Sequence, residues 1–194
     1  MSSTLVDYLL TRKSVPIVAL KDPGPSNNEI ETMIRAASRV PDHGGLTPWR
    51  FILYRGDSRR EIGEMLAERL AEKQGPLDAP QRDKELTRFS RAPLVIGVVS
   101  SPKDHPKIPE WEMFLSAGAA AMNLVHAANA LGFGANWITN WYSDDEEAAR
   151  ALGIGPGERA VGFVHIGTPT AEAPERPRPS IDALLSTYSG RREP

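Results

Sequence analysis

From Phe114 to Leu131 the chain carries no charged residue and no proline. Ala, Leu, Met and Val fill this stretch, and Ser116, Asn123, His126 and Asn129 are its polar interruptions. Apolar residues fall on every side, which predicts either a membrane span or the central helix of a folded core. Much of the run is Ala and Gly, and two Asn and a His would be costly in hydrocarbon, so the core is favoured. Ser116, Ala117, Gly118, Ala120 and Ala121 are small enough to admit another backbone. The helix is therefore expected to pack against a second helix, in the same chain or in a partner subunit. Gly132 is expected to end it as the C′ residue, and residues 135–139 then read as a buried strand.

Shorter patterns surround this stretch. Leu5, Val6, Leu9 and Leu10 predict a short helix capped by Ser3. Ser26 and Glu29 form a capping box ahead of Ile30, Met33, Ile34 and Ala37, whose spacing predicts a helix ending near Val40, before Pro41. Residues 50–55 alternate as a strand. Gly56-Asp57-Ser58 turns that strand into a helix carrying Ile62, Met65, Leu66 and Leu70, which ends at Gly75-Pro76. Residues 77–91 are polar without a sustained period. They predict an excursion outside the core, with one helix over 81–89 and a solvated charged face. Residues 93–100 are continuously apolar and predict a central strand. Ser143 and Glu146 predict another capping box and a short helix ending before Gly153. Residues 159–167 read as the last strand and 168–179 as an extended proline-rich segment. Ser180 is expected to cap a final helix through Ile181, Leu184, Leu185 and Tyr188.

These patterns give four strands among six or seven helices. Only the strands at 50–55 and 94–100 bracket a helix in a β-α-β rhythm, so α+β is favoured over a doubly wound nucleotide fold. No internal repeat or domain boundary is visible. The 194 residues are expected to form a single domain over 1–194, long enough to bury a proper core. Charge and composition then act by exclusion. With 25 acidic and 23 basic residues, for a net charge of −2, the chain lacks the basic field of non-specific nucleic-acid binders. It has no cysteine, which excludes disulfides, thiolate catalysis and Cys-ligated metals. A mean hydropathy of −0.36 is that of an ordinary soluble chain. The N-terminus has no basic segment followed by a long apolar run, so a cytoplasmic location, away from membranes, is expected.

There is no G-x-S-x-G elbow, no P-loop and no H-E-x-x-H. His43, His105, His126 and His165 lack metal-ligand spacing. Gly132-Phe133-Gly134 follows a helix and precedes a strand, the reverse of a dinucleotide-binding turn. Any catalysis is thus expected to rest on a bound organic cofactor. Arg12-Lys13-Ser14 places two cations and a hydroxyl together, which suits a phosphomonoester, although cations also sit well at a helix C-terminus. Between Arg39 and Arg50, two prolines and two glycines make a rigid, close-approach loop. Within it, Trp49 reads equally as a core anchor and His43 as a hydrogen-bonded loop residue.

Arg12-Lys13-Ser14, just after the first helix, resembles the Arg-Arg-Ser start of the nitroreductase family of flavoproteins. Val40-Pro41-Asp42-His43-Gly44-Gly45-Leu46-Thr47-Pro48-Trp49 resembles the family's Ala-Pro-Ser-Ser-x-Asn-x-Gln-Pro-Trp loop, and its Pro-Asp-His version is typical of the small, YdjA-like branch. Ala130-Leu131-Gly132-Phe133-Gly134 followed by Trp137 is similar to the end of the family's central helix and the strand after it. Gly167-Thr168-Pro169 to Arg178-Pro179 resembles its usual ending. The likeness covers nearly the whole chain, with four motifs in order.

This resemblance implies an FMN-dependent NAD(P)H oxidoreductase that works as a homodimer. The implied fold is a mostly antiparallel central sheet flanked by helices, in a dimeric three-layer α/β/α arrangement with the flavin at the dimer interface. By position, Arg12 and Ser14 would hold the FMN phosphate and ribityl chain, with Lys13 alongside and Arg178 as a further phosphate ligand. Arg39 and His43 would reach the same flavin from the other subunit. Trp137, Ile138 and Thr139 would run along the isoalloxazine edge. Close relatives imply a nicotinamide role for Ala127, Ala128, Asn129, Ala130, Leu131 and Gly132, which a buried Ala-rich helix end explains equally well. The implied activity is a two-step cycle: NAD(P)H reduces FMN and leaves, and an electron-poor acceptor such as a nitroaromatic or quinone takes its place.

Three positions depart from the pattern. Thr47 stands where many members have Gln, and Gly45 where many have Asn. Ile138 stands where the small branch often has Arg, which removes a charge near the flavin. The Thr47 and Ile138 departures keep open an alternative, a non-catalytic flavin-binding protein of the same dimeric fold.

Overall fold

The structure, a computed structural model, describes residues 4–188 and residue 190. These fall into two compact units. One joins the described residues before Ser14 to those after Glu172, and the other is Ser14–Glu172.

The larger unit holds a five-stranded sheet of β1 (Leu20–Lys21), β2 (Trp49–Tyr54), β3 (Leu94–Ser100), β4 (Gly134–Ile138) and β5 (Arg159–Pro169). Every pairing is antiparallel. β3 lies between β2 and β5. β5 pairs on its other side with β4, and its last residues, Thr168 and Pro169, pair with β1. The four strands expected from the sequence are present within two residues of their expected ends. β1 was not expected, because two residues are too few to show alternation.

Helices cover both faces. Side chains alternate along a strand, so Leu94, Ile96 and Val98 of β3 enter one core with α2 (Asn27–Ala37) and α5 (Glu110–Ala130). Val95 and Val99 enter the other, with Leu66 of α3 (Ser58–Gln74) and Ala148 of α6 (Glu146–Ala151). Burial on both faces is why residues 94–100 lack an alternating pattern.

The apolar helix is α5, and its start lies four residues before the apolar run. Pro109 is its N-cap, and Glu110 and Glu112 suit the positive end of the helix dipole. The second helix it packs on is α2, with Ala117 and Ala121 fully buried. Gly132, at φ 88°, follows its last turn. α5 is not buried all round: Trp111 and Leu115 are both 62% exposed, and the space beside Gly118 is open. Among the described residues, no helix is long and apolar enough to cross a membrane.

Residues 77–91 differ from the expected solvated excursion. α4 covers Ala79–Leu86 with Asp78 as its cap. Phe89 is fully buried in the second core. Glu85 and Arg88 are buried too, as an ion pair whose carboxylate also accepts the Trp141 indole N–H. Their charges compensate each other inside the fold, so polarity alone gave the wrong side. The expected helix start at Ser143 is also corrected. Asp145 caps α6, and the Ser143 hydroxyl instead accepts the Asn140 N–H in a 3-10 turn over Trp141–Ser143. Asp145 out-competes Ser143 because its carboxylate also binds Arg69 and Lys73 of α3. α2 stops at Ala37 rather than near Val40.

In the smaller unit, α1 (Leu5–Thr11) is capped by Thr4 in a box with Asp7. The expected cap, Ser3, lies outside the described residues. α7 (Ile181–Leu184) is a single turn without a side-chain cap bond, and Leu185 and Tyr188 lie beyond it. The apolar side chains of both helices are exposed.

Candidate functional site

The loop between α2 and β2 is held by one face of α5. Asn123 Nδ2 donates to the carbonyls of Ala36 (3.3 Å) and Arg39 (3.1 Å). The Ser116 hydroxyl donates to the Pro41 carbonyl at 2.6 Å and accepts the Trp49 indole N–H at 3.1 Å. Glu112 Oε2 lies 2.8 Å from His43 Nδ1. Helical spacing puts these three α5 residues on one side. Inside the loop, the Asp42 carboxylate accepts the N–H groups of Leu46 (3.0 Å) and Thr47 (2.8 Å). Gly44 has φ 73°, a left-handed conformation that glycine adopts without strain, and a Cβ there would fall 2.8 Å from Ile108 Cδ1. Thr47 has φ 49°. A β-branched residue in this region stores about 1–3 kcal/mol of strain, and the Asp42 carboxylate holds it there. Beneath the loop is a cavity of about 290 Å³, walled by Pro48, Ile108, Met113 and Ala119.

A second group of residues lies along β4. Ser14 is exposed. The next residue, Val15, donates its N–H to the Ala135 carbonyl (3.2 Å) and accepts from Asn136 Nδ2 (2.6 Å). Gly134 permits this approach, since a Cβ there would fall 2.7 Å from Leu20 Cδ2 and 3.0 Å from Val15 Cγ2. Trp137 is half-buried and donates its indole N–H to the Val161 carbonyl at 3.2 Å. It crosses Gly162, where a Cβ would lie 2.1 Å from the indole nitrogen. Ile138 pairs with Phe163, and Thr139 is exposed just past the strand.

Residues Ala127–Gly132 form the end of α5. The N–H groups of Leu131, Gly132 and Phe133 return to the carbonyls of Ala127, Asn129 and Ala128. Asn129 Nδ2 donates to the Val125 carbonyl at 2.7 Å, and Ala128 is fully buried. These are the contacts of a helix terminus and a core.

The structure does not bring His43 to the Ser14–Val15 segment. His43 sits over Glu112 near the start of α5, whereas Val15 is tied to Ala135 just past its end. From Glu112 to Ala130 the helix runs about 27 Å at 1.5 Å per residue.

In the smaller unit, Arg12 follows α1 and donates its N–H to the Tyr8 carbonyl at 2.8 Å. Its Nε and Nη1 are shut off from solvent and have no hydrogen-bond partner among the described residues. Lys13 Nζ is 3.2 Å from one carboxylate oxygen of Glu175, and Arg178 Nη2 is 3.3 Å from the other. The Arg176 N–H, and then the Lys13 ammonium, hold the Glu175 carboxyl below its usual range. Lys13 and Arg178 thus share a carboxylate, while Arg12 keeps two unspent donors. No cluster of His, Asp and Glu able to hold a metal occurs among the described residues.

Sequence reasoning missed the groups that fix the loop: Asp42, Glu112, Ser116 and Asn123. A signal for two of them existed. Ser116 and Asn123 interrupt the apolar helix on the side that faces the loop.

The family model for the Nitroreductase family matches residues 10–168. A protein of Escherichia coli (strain K12) with the provisional name NAD(P)H nitroreductase YdjA is 32% identical over 172 residues, 87% of this chain and 90% of its own. A solved nitroreductase-like family protein from Bacillus cereus shares the fold with a TM-score of 0.80 at 22% identity, over 98% of both chains. A protein from Desulfovibrio desulfuricans, provisionally named a nitroreductase and solved in complex with FMN, has a TM-score of 0.72 at 20% identity over 98% of this chain and 100% of its own. The two structures show a common α+β fold, an antiparallel sheet flanked by helices. On the match over residues 10–168 and the likeness to YdjA, this chain belongs to the nitroreductase family.

Proposed function

We propose that the protein is an FMN-dependent NAD(P)H oxidoreductase that works as a homodimer. The observation that carries this reading is Arg12. A guanidinium with Nε and Nη1 shielded and without a partner among the described residues is costly unless an acceptor meets it. A phosphate oxygen would do so through charge-assisted hydrogen bonds of about 1.5–3 kcal/mol each. Arg12 and Ser14 then hold the phosphate and ribityl chain, with Lys13 and Arg178 alongside. Trp137, Ile138 and Thr139 line the isoalloxazine edge. Ala127–Gly132 remain a nicotinamide assignment by resemblance alone.

The distance along α5 supports a site shared by two chains. His43 and Arg39 would meet the flavin bound to the partner copy, since His43 lies far from Val15 in its own. Exposed Trp111 and Leu115 of α5, and exposed Leu5 and Leu10 of α1, supply apolar surface that a second copy would cover. When bound, FMN supplies the redox chemistry, taking a hydride from NAD(P)H and passing electrons to a nitroaromatic, quinone or similar acceptor. The chain's own residues bind and orient, and none acts as a nucleophile.

The test is FMN occupancy of the purified Arg12→Ala/Ser14→Ala variant. The reading predicts loss of bound FMN, and unchanged occupancy would show the phosphate assignment to be wrong. Steady-state NAD(P)H oxidation with an added nitroaromatic separates this reading from a non-catalytic flavin-binding protein, which would show none.

A further inference from the structure

We propose that Glu112 is a positioning residue that sets the imidazole of His43 for its contact with FMN. This rests on the proposed role of His43 as an FMN ligand. The Glu112 Oε2–His43 Nδ1 contact is 2.8 Å, between side chains 32% and 65% exposed. A pair this open contributes little to stability. Its effect is on geometry. A carboxylate that accepts from Nδ1 fixes the proton there, sets the ring plane and leaves Nε2 free to face a ligand.

The backbone under His43 is already fixed on both sides. Asn123 holds the Arg39 carbonyl and Ser116 the Pro41 carbonyl, while Asp42 binds the N–H groups of Leu46 and Thr47. Gly44 sits tightly over Ile108. The freedom left at His43 is rotation of its side chain and the choice of tautomer, and Glu112 removes both. A glutamate in the first turn of α5 also suits the helix dipole, but the dipole does not require contact with a residue 69 positions away. A dipole role would persist in the absence of His43, whereas a positioning role would vanish with it.

The experiment is a double-mutant cycle on the full chain, read as the Kd for FMN from flavin fluorescence. It uses wild type, Glu112→Ala, His43→Ala, the double variant and Glu112→Gln. Ring ¹⁵N resonances of His43 are recorded on apo-protein at alkaline pH, where imidazole is neutral. Glu112→Ala is expected to weaken FMN about fivefold, and His43→Ala about tenfold. The double variant should be no weaker than His43→Ala. Glu112→Gln keeps an acceptor for the Nδ1 proton and should retain most of the binding. The ¹⁵N spectrum should show the Nδ1-protonated tautomer in wild type and its loss in Glu112→Ala. If His43→Ala weakens FMN while Glu112→Ala changes neither Kd nor tautomer, the positioning role is overturned. Fully additive losses would overturn it too, because Glu112 would then act without His43. If His43→Ala leaves FMN binding unchanged, the ligand assignment of His43 fails and takes the proposal with it. The tautomer would still report separately whether Glu112 holds the ring.

Discussion

His165 builds acid sensitivity into the core. It lies within β5, in register with Val95 of β3 and Asn136 of β4. It is fully buried, 6.1 Å from Phe89 between ring centroids, and neither ring nitrogen has a hydrogen-bond partner among the described residues. Burial, reinforced by the Arg91 charge, lowers its pKa from 6.5 to about 3. The unfolded chain takes up this proton near 6.5, whereas the folded chain does so only near 3. Between those values the unfolded state binds more protons, so stability falls as pH is lowered through the window. At about 1.36 kcal/mol per pH unit, the loss by about pH 5 is roughly 2 kcal/mol. That is large beside a typical folding stability of about 5–15 kcal/mol. His165→Leu has similar volume and no proton to gain. At neutral pH the variant should match the wild type or exceed it by about 1 kcal/mol, since two buried unsatisfied nitrogens are removed. Its loss between about pH 8 and about pH 5 should be smaller than that of wild type by roughly 2 kcal/mol, measured by urea denaturation. An identical pH dependence in the two proteins would refute this account of His165.

Other substitutions test the packing. Gly63→Ala would place a Cβ 2.1 Å from the Leu86 carbonyl oxygen, so separation of α3 from α4 and a loss of about 3 kcal/mol are expected by urea denaturation. Gly162→Ala would strike the Trp137 indole nitrogen, and should shift tryptophan fluorescence and weaken FMN binding together. Thr47→Asn relieves a β-branched residue at positive φ and should raise stability by about 1 kcal/mol in the same assay. The Arg50 guanidinium clasps Glu158 through two nitrogens and lowers its pKa from 4.5 to about 2. The stability this gives is present above pH 4.5 and is lost as pH falls toward 2. Arg50→Ala should cost about 1–2 kcal/mol at neutral pH, allowing for its part exposure.

Much of the fold was legible because pattern and structure share a cause. The strands at 50–55 and 94–100, the capping box of Ser26 and Glu29, and the stop at Gly132 are local features whose physics is written in adjacent residues. The helix α5 was legible as a core element, but its exposed Trp111 and Leu115 were not, since apolar composition does not say which side meets solvent. The segment over 77–91 was misplaced for the opposite reason. Glu85 and Arg88 read as solvated charges until the fold pairs them in its interior.

For the site, composition pointed to Arg12-Lys13-Ser14 as an anion site, whereas His43 entered only through the family resemblance; in the structure two shielded nitrogens of Arg12 have no partner among the described residues. The separation of His43 from Ser14 could not be read, because it depends on which end of α5 each segment meets. The supports of the loop are likewise long-range: Glu112 and Asn123 lie 69 and 84 positions from their partners His43 and Arg39.

The most direct test of the central claim is the visible absorption spectrum of the purified, desalted protein, before and after anaerobic NADPH. The account predicts a flavin spectrum that bleaches on reduction. A protein that shows no flavin, even after incubation with FMN, would contradict it.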